Sequence, residues 1–244
     1  MKSKLWLPGF LVSAAALALL HRYGRHSGAS SAEHTQMLAG DAVIPDPDLV
    51  ITNAITIHAP PEAIWPWLVQ LSYYRGGWFT DSTWRDWDYY PDKIMRFFVR
   101  EEAERSGYAH RDAPSVNQII SEFQHLKVGD VVLDGPPGTA FFTVAAMVPD
   151  RYLVLYSNTH LRFLFPKSIR ENEALGIGGE FTWGFFLERI DDRHTRLLLR
   201  TRGSIRPWWY RISINATVPI ANIFLARRML RGIKRCAETP AGSG

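Results

Sequence analysis

Three side chains have the chemical types that move protons or hold anions in a buried site: Arg75, His160 and Glu180. Glu180 is close in sequence to Trp183. An acid buried beside an aromatic ring has a raised pKa, which suits a proton shuttle. If the chain is an enzyme, we expect these groups to point into one pocket. Otherwise each is paired with a neighbour or solvated.

Two stretches imitate known catalytic motifs without their context. Residues 110–117 have the spacing H-R-D-x-x-x-x-N, but the glycine-rich loop, the strand lysine and the Asp-Phe-Gly of a kinase are missing from the sequence. Residues 176–179 resemble a phosphate-binding turn, yet Phe181 stands where the third glycine would be. The histidines are scattered and Cys236 is the single cysteine. We therefore predict no catalytic residues, no metal and no cofactor.

Aromatic residues make up 13% of the chain, with nine tryptophans, and several of them cluster in sequence. Any one such ring is accounted for equally well by core packing, whereas the set favours a cavity for a hydrophobic ligand. The predicted ligand-binding residues are Arg75, Trp78, Phe79, Trp84, Trp87, His160, Glu180, Trp183 and Phe185.

The pattern of apolar residues predicts the elements that must position these side chains. Two-faced alternation predicts a first strand over 49–58, and the Ala-Pro-Pro-Glu that follows opens a helix, because proline is tolerated in a first turn. Helical spacing of apolar residues predicts a last helix over 219–237. Between them, alternation and turn residues predict strands over 130–133, 140–148, 152–157, 179–190 and 194–204. This order indicates an α+β domain.

Charge is unevenly distributed along the 244 residues. Residues 1–26 and 206–244 are basic, whereas the body between them carries more acidic than basic residues. Nucleic-acid binding needs a basic face on the folded body, so we predict no nucleic-acid partner. Basic ends suit an anionic membrane surface.

The N-terminal residues favour a membrane anchor. Residues 5–20 are apolar apart from Ser13, and Trp6 and Tyr23 lie near the two ends, where interfacial aromatic residues belong. A cleavable signal peptide is the competing interpretation. We predict an anchor over 1–26, a linker over 27–48, one domain over 49–238 and a disordered tail over 239–244. The side of the membrane and the oligomeric state stay open. Pro207-Trp208-Trp209-Tyr210, flanked by two arginines, is a second candidate for membrane contact.

Residues 54–70 resemble the start of proteins of the SRPBCC superfamily, which includes START domains, the birch-pollen allergen and polyketide cyclases/dehydrases. Further similar segments follow in the family's order over 75–79, 125–130, 182–185 and 229–234. The lead-in at 38–45 is similar to that of an uncharacterised, membrane-anchored branch. The resemblance implies a helix-grip (START-like) fold, in which a curved antiparallel sheet surrounds a long C-terminal helix. The segment 85–116 is longer and carries more charged residues than the corresponding segment in that branch usually does.

Together these features predict a membrane-tethered module that binds a hydrophobic small molecule or lipid in a helix-grip cavity, without turnover. The alternative is an enzyme similar to polyketide cyclases/dehydrases, with Arg75, His160 or Glu180 as acid/base groups. A third possibility is an interaction domain that docks through residues 85–116.

Overall fold

A computed structural model of the chain describes residues 6–72, 75–79, 116–135 and 138–239, with the side chains of the first helix described at Ser13 and from Ala15 onward. The helices are α1 (Trp6–His26), α2 (Ser31–Thr35), α3 (Pro61–Val69), α4 (His160–Phe163), α5 (Lys167–Arg170) and α6 (Trp208–Glu238). The strands are β1 (Leu49–Ile57), β2 (Val131–Leu133), β3 (Phe141–Val148), β4 (Tyr152–Ser157), β5 (Gly178–Arg189) and β6 (Thr195–Arg206).

The six strands form one antiparallel sheet in the order β1-β6-β5-β4-β3-β2. Five strands follow each other as a meander, and β1 pairs with β6, so that the first and last strands of the domain are neighbours. With the long C-terminal helix packed against the sheet, this is an α+β, helix-grip-like architecture. The prediction of that architecture is confirmed, and each predicted strand lies within two residues of an observed one.

The last helix begins eleven residues earlier than predicted, at Trp208 instead of Pro219. Proline favours the first turn of a helix, which is why Pro219 was taken as a start. In α6 it lies inside the helix. A proline inside a helix has no N–H for the carbonyl four residues earlier, here that of Asn215. His21 of α1 supplies the missing hydrogen bond, because its Nε2 lies 2.6 Å from the Asn215 carbonyl oxygen.

The core lies between the inner face of the sheet and the helices α3 and α6. Alternate residues of β5 point to this face, and Phe185 and Leu187 are buried there. Ile64 of α3 and Ile233 of α6 belong to the same buried cluster and are fully buried. Burying each such side chain contributes about 1.5–3 kcal/mol.

Residues 27–48, predicted as a linker, lie partly against the outer face of the sheet. They include α2, which begins with a capping box between Ser30 and Glu33. The Arg200 guanidinium donates to the Asp41 carboxylate at 3.0 Å and to the carbonyls of Glu33, His34 and Gln36. Arg200 is 3% exposed. The segment is therefore tied to β6 by a buried ion pair.

Among the described residues, no helix combines the length and the apolar character that crossing a membrane requires. The predicted anchor over 1–26 begins outside the described residues and stays a prediction.

Replacing Arg200 with alanine should lower the free energy of unfolding by about 3 kcal/mol, because the buried Asp41 loses its nearer cation and keeps only Arg202, at 3.7 Å. Urea denaturation followed by circular dichroism measures the loss. Arg193→Ala is the matched control, since Arg193 is exposed on a turn. Equal stabilities of the two variants would contradict the assigned role.

Gly232→Ala should destabilise the protein by about 1–3 kcal/mol through overpacking. An alanine normally stabilises a helix interior by about 1 kcal/mol relative to glycine. Here its Cβ would lie 1.5 Å from the carbonyl oxygen of Phe79. Ser213→Ala, on an exposed part of α6, is the control and should be nearly neutral. A stabilised Gly232→Ala variant would show that α6 does not pack this closely on Phe79.

Candidate functional site

A cluster of rings occupies one end of the inner face, with Phe142 of β3 at its centre. The ring of Phe142 stacks on Trp183 at a centroid distance of 5.4 Å and lies 4.3 Å from His160. Phe181 and Trp78 meet it edge-on at 5.5 and 5.9 Å. Phe142 is fully buried, whereas Trp78, Phe181 and Trp183 are half-buried. Part of the aromatic surface of the cluster therefore stays accessible.

Strand periodicity explains how the cluster forms. Phe181 and Trp183 are two residues apart on β5 and share its inner face. Register places Phe181 opposite Ser157 of β4. Three residues after Ser157, His160 opens α4 and its ring comes to lie 5.2 Å from Phe181. The turn after α3 supplies Trp78.

His160 is held through both ring nitrogens. Its Nε2 lies 2.9 Å from Oδ2 of Asp134, and its Nδ1 lies 2.6 Å from Oγ of Ser157. A carboxylate only accepts hydrogen bonds, so Nε2 carries the proton that it donates to Asp134. Asp134 thereby orients the imidazole against the rings.

A serine, a histidine and an aspartate in contact invite comparison with a nucleophilic triad. The geometry argues against that role. Ser157 is 2% exposed, and its Oγ accepts from the backbone N–H of Thr159 at 3.1 Å, as in a local turn. Its hydroxyl thus stabilises the start of α4. Among the described residues, no cluster of three or more His, Cys, Asp or Glu side chains is placed to bind a metal ion.

The indole of Trp78 carries an unused donor. Its Nε1 is buried and has no hydrogen-bond partner among the described residues. Buried donors without a partner are rare, because each costs about 1–3 kcal/mol. A ligand with a hydrogen-bond acceptor would remove that cost.

Glu180 lies on the opposite face of β5 from Trp183, since the two residues are three positions apart in a strand. Its Oε2 accepts from the Tyr156 hydroxyl at 2.6 Å. Burial, with the hydrogen bond and charge of Glu180, raises the pKa of Tyr156 to about 12. Glu180 is thus paired on the outer face, and the structure does not bring it together with His160.

Arg75 has a structural partner set. Its guanidinium donates to the carbonyls of Val69 and Phe123 and lies 5.0 Å above the Phe123 ring. Burial lowers the pKa of Arg75. The side chain thus joins the end of α3 to the segment before β2. These contacts give Arg75 a structural role instead of the acid/base role considered for it.

The remaining predicted site residues divide into two groups. Phe79 and Phe185 are 1% and 0% exposed and belong to the core. Trp84 and Trp87 lie outside the described residues, as do residues 85–115 of the predicted docking arm. The structure therefore unites three of the predicted residues, Trp78, His160 and Trp183, in one cluster.

Phe142, Phe181 and Asp134 were not among the predicted site residues. Alternation along β5 places Phe181 on the same face as Trp183 and Phe185, and alternation along β3 could have placed Phe142 on the inner face as well. Asp134 follows β2 in a turn, 26 residues before His160, and no pattern in the sequence connects the two.

A separate open cleft of about 400 Å³ lies at the start of β5. Its lining includes the Tyr156–Glu180 pair, Arg162, Arg206 and the glycine-containing stretch 176–179. The cleft is polar and differs in character from the ring cluster.

No protein-family model matches the chain, and no curated protein sequence does. Solved structures with a similar course of the chain include the hypothetical protein jhp0584 from Helicobacter pylori, at 12% identity over 84% of this chain and 99% of that one, with a TM-score of 0.41. The Aha1 dimer from Colwellia psychrerythraea shares 16% identity over 80% and 99% of the two chains, with a TM-score of 0.35.

A norcoclaurine synthase point mutant from Thalictrum flavum, in complex with a transition-state analogue, shares 11% identity over 76% and 93% of the two chains, with a TM-score of 0.35. At these identities and TM-scores the similarities carry no argument of their own. The strand order and the long C-terminal helix define the fold.

His160→Ala should lower the free energy of unfolding by about 1–3 kcal/mol, because Asp134 and Ser157 lose a shared partner. His160→Gln should recover part of this loss, since its amide can still donate to Asp134. Denaturant unfolding read by tryptophan fluorescence measures both. The control is His125→Ala, at an exposed position. A His160→Ala variant as stable as this control would contradict the described contacts.

Proposed function

We propose that the protein binds a hydrophobic small molecule or lipid on the inner face of its helix-grip-like sheet, without turnover, while residues 1–26 hold it at a membrane. The observation that carries the binding proposal is the ring cluster around Phe142, in which Trp78, Phe181 and Trp183 stay half-buried. Stacking contacts between aromatic groups contribute about 0.5–1.5 kcal/mol each beyond the area that they bury.

The chemistry of the cluster defines the ligand further. The ligand should be mostly apolar, because rings form most of the surface offered to it. It should also carry one hydrogen-bond acceptor, because Nε1 of Trp78 is a buried donor without a partner among the described residues. A fatty acid, an isoprenoid alcohol or a similar molecule with one polar end meets both requirements.

The contacts of His160 and Glu180 favour binding over turnover. Both nitrogens of His160 are engaged within the protein, and Glu180 is paired with Tyr156 on the other face of the sheet. One observation favours the alternative, an enzyme similar to polyketide cyclases/dehydrases. A carboxylate-oriented imidazole beside stacked rings is the arrangement that acid/base catalysis on a bound hydrophobic substrate would use.

The tether is supported by the exposed part of α1. Residues 15–20, Ala-Ala-Leu-Ala-Leu-Leu, are all exposed. Leu17 and Leu19 are 57% and 68% exposed. A helix that is apolar on every side needs an apolar environment, and a bilayer supplies one.

The binding proposal predicts that the purified full chain, in detergent micelles, takes up cis-parinaric acid with fluorescence transfer from tryptophan. Phe181→Ala should weaken binding about tenfold, which corresponds to about 1.4 kcal/mol. Phe224→Ala is the matched control, because Phe224 is 56% exposed on α6, outside the ring cluster. Equal affinities of the two variants would place the ligand elsewhere, and a wild-type chain that takes up no probe would refute binding.

The same samples distinguish binding from turnover. Mass spectrometry of the probe, and of lipids taken up from a membrane extract, should recover both unchanged after incubation. A product whose formation is lost in His160→Gln would overturn the proposal of binding without turnover and support the enzyme alternative.

A further inference from the structure

The helices α1 and α6 are joined by polar contacts along the last turns of α1, and those at Asn215 lie nearest to the start of α6. His21 and Arg25 of α1 bind the backbone carbonyl and the side-chain oxygen of Asn215, at 2.6 and 2.7 Å. Gly24 packs directly on α6, where an added Cβ would lie 1.9 Å from the carbonyl oxygen of Pro219. The end of α1 is thus fixed relative to the domain.

Toward their N-terminal ends the two helices leave facing apolar surfaces uncovered. On α1, Leu17 shares the helical face of His21 and Gly24 by its i, i+4, i+7 spacing, yet it is 57% exposed. On α6, Trp208 and Ile212 share the face of Asn215 by the same spacing. They are 66% and 60% exposed. Beyond the joint the two helices therefore leave an uncovered apolar gap.

The rim of this gap has the composition of a membrane interface. Trp209 is 40% exposed and lies beside Phe165 at a ring distance of 6.4 Å. Arg22 and Arg206 are exposed, as is Arg211, which is paired with Asp48 at 3.2 Å. Tryptophan concentrates at the level of lipid headgroups, and arginine pairs with their phosphates.

We propose that the first two turns of α6 form a second membrane contact, in which Trp208, Trp209 and Ile212 enter the boundary between headgroups and acyl chains beside α1. This inference rests on the proposed tether. Trp208 is about 10 Å from Asn215 along the helix, at 1.5 Å per residue, so about two turns of α6 lie beyond the joint and are available for this contact.

The occupant of the gap is lipid instead of a second copy of the chain, because exposed arginines, Arg22 on α1 and Arg206 just before α6, flank its apolar residues in the sequence. Two copies packed through this surface would bring like charges together, whereas anionic headgroups neutralise them. The contact would also bring Arg206, which lines the polar cleft at the start of β5, next to the headgroups.

The test uses the full chain in vesicles of phosphatidylcholine and phosphatidylglycerol, with Cys236→Ser as background. A nitroxide is attached at Ile212→Cys or, as the matched control, at Phe224→Cys, which is also exposed on α6 but about 18 Å farther along it at 1.5 Å per residue. Oxygen and a water-soluble nickel chelate report lipid and water contact. We expect oxygen to relax the label at 212 more strongly than nickel does, and the reverse at 224.

Every other outcome contradicts a specific part of the proposal. Vesicles that float without the chain would refute the tether, and the second contact with it. If the protein floats with the vesicles but nickel relaxes the labels at both 212 and 224 more strongly than oxygen does, the second contact alone is refuted. Spin–spin broadening at 212 that disappears on dilution with unlabelled chain would show that a second copy fills the gap. Vesicles of pure phosphatidylcholine should reduce the oxygen preference at 212, whereas an unchanged preference would refute the role of the arginines.

Discussion

The packing of α6 against the inner face of the sheet is the interaction on which the rest of the structure depends. Its C-terminal half carries the apolar side chains that close the core, and Gly232 lets Phe79 approach closely enough to fix the turn that supplies Trp78. Its N-terminal half contributes Tyr210 and Ile214 to a second buried cluster, which includes Leu49 and Ile51 of β1. There the proline at 219 frees a backbone carbonyl, and α1 binds to it. One helix thus organises both the candidate ligand site and the attachment of the proposed anchor.

The two faces of the sheet have different chemistry. The inner face ends in stacked rings with a histidine held by Asp134, which suits an apolar ligand with one acceptor. The outer face holds charges in fixed pairs. Arg196 binds Glu33 and lowers the pKa of that carboxyl to about 2, and Arg200 binds Asp41. These ion pairs join residues 27–48 to β6 and therefore hold that segment against the outer face of the sheet.

Local patterns in the sequence were sufficient for the strands and for the inner-face rings of β5, since alternation is a property of each strand by itself. The same alternation separates Glu180 from Trp183, although closeness in sequence had grouped them. The start of α6 could not be predicted from Pro219, because the carbonyl that this proline leaves unpaired is satisfied by a residue almost two hundred positions away. The pairing of Asp134 with His160 is likewise a tertiary contact without a sequence signal.

The central claim, a ligand held by the rings around Phe142, is tested most directly by photocrosslinking. A fatty acid with a diazirine near its methyl end is bound to the full chain and irradiated, and the modified peptides are sequenced by mass spectrometry. We expect adducts on the inner-face residues Phe142, Phe181 and Trp183 that are suppressed by excess unmodified fatty acid. Suppressible adducts only on the outer-face cleft at Tyr156 and Glu180, or none on the folded domain, would contradict it.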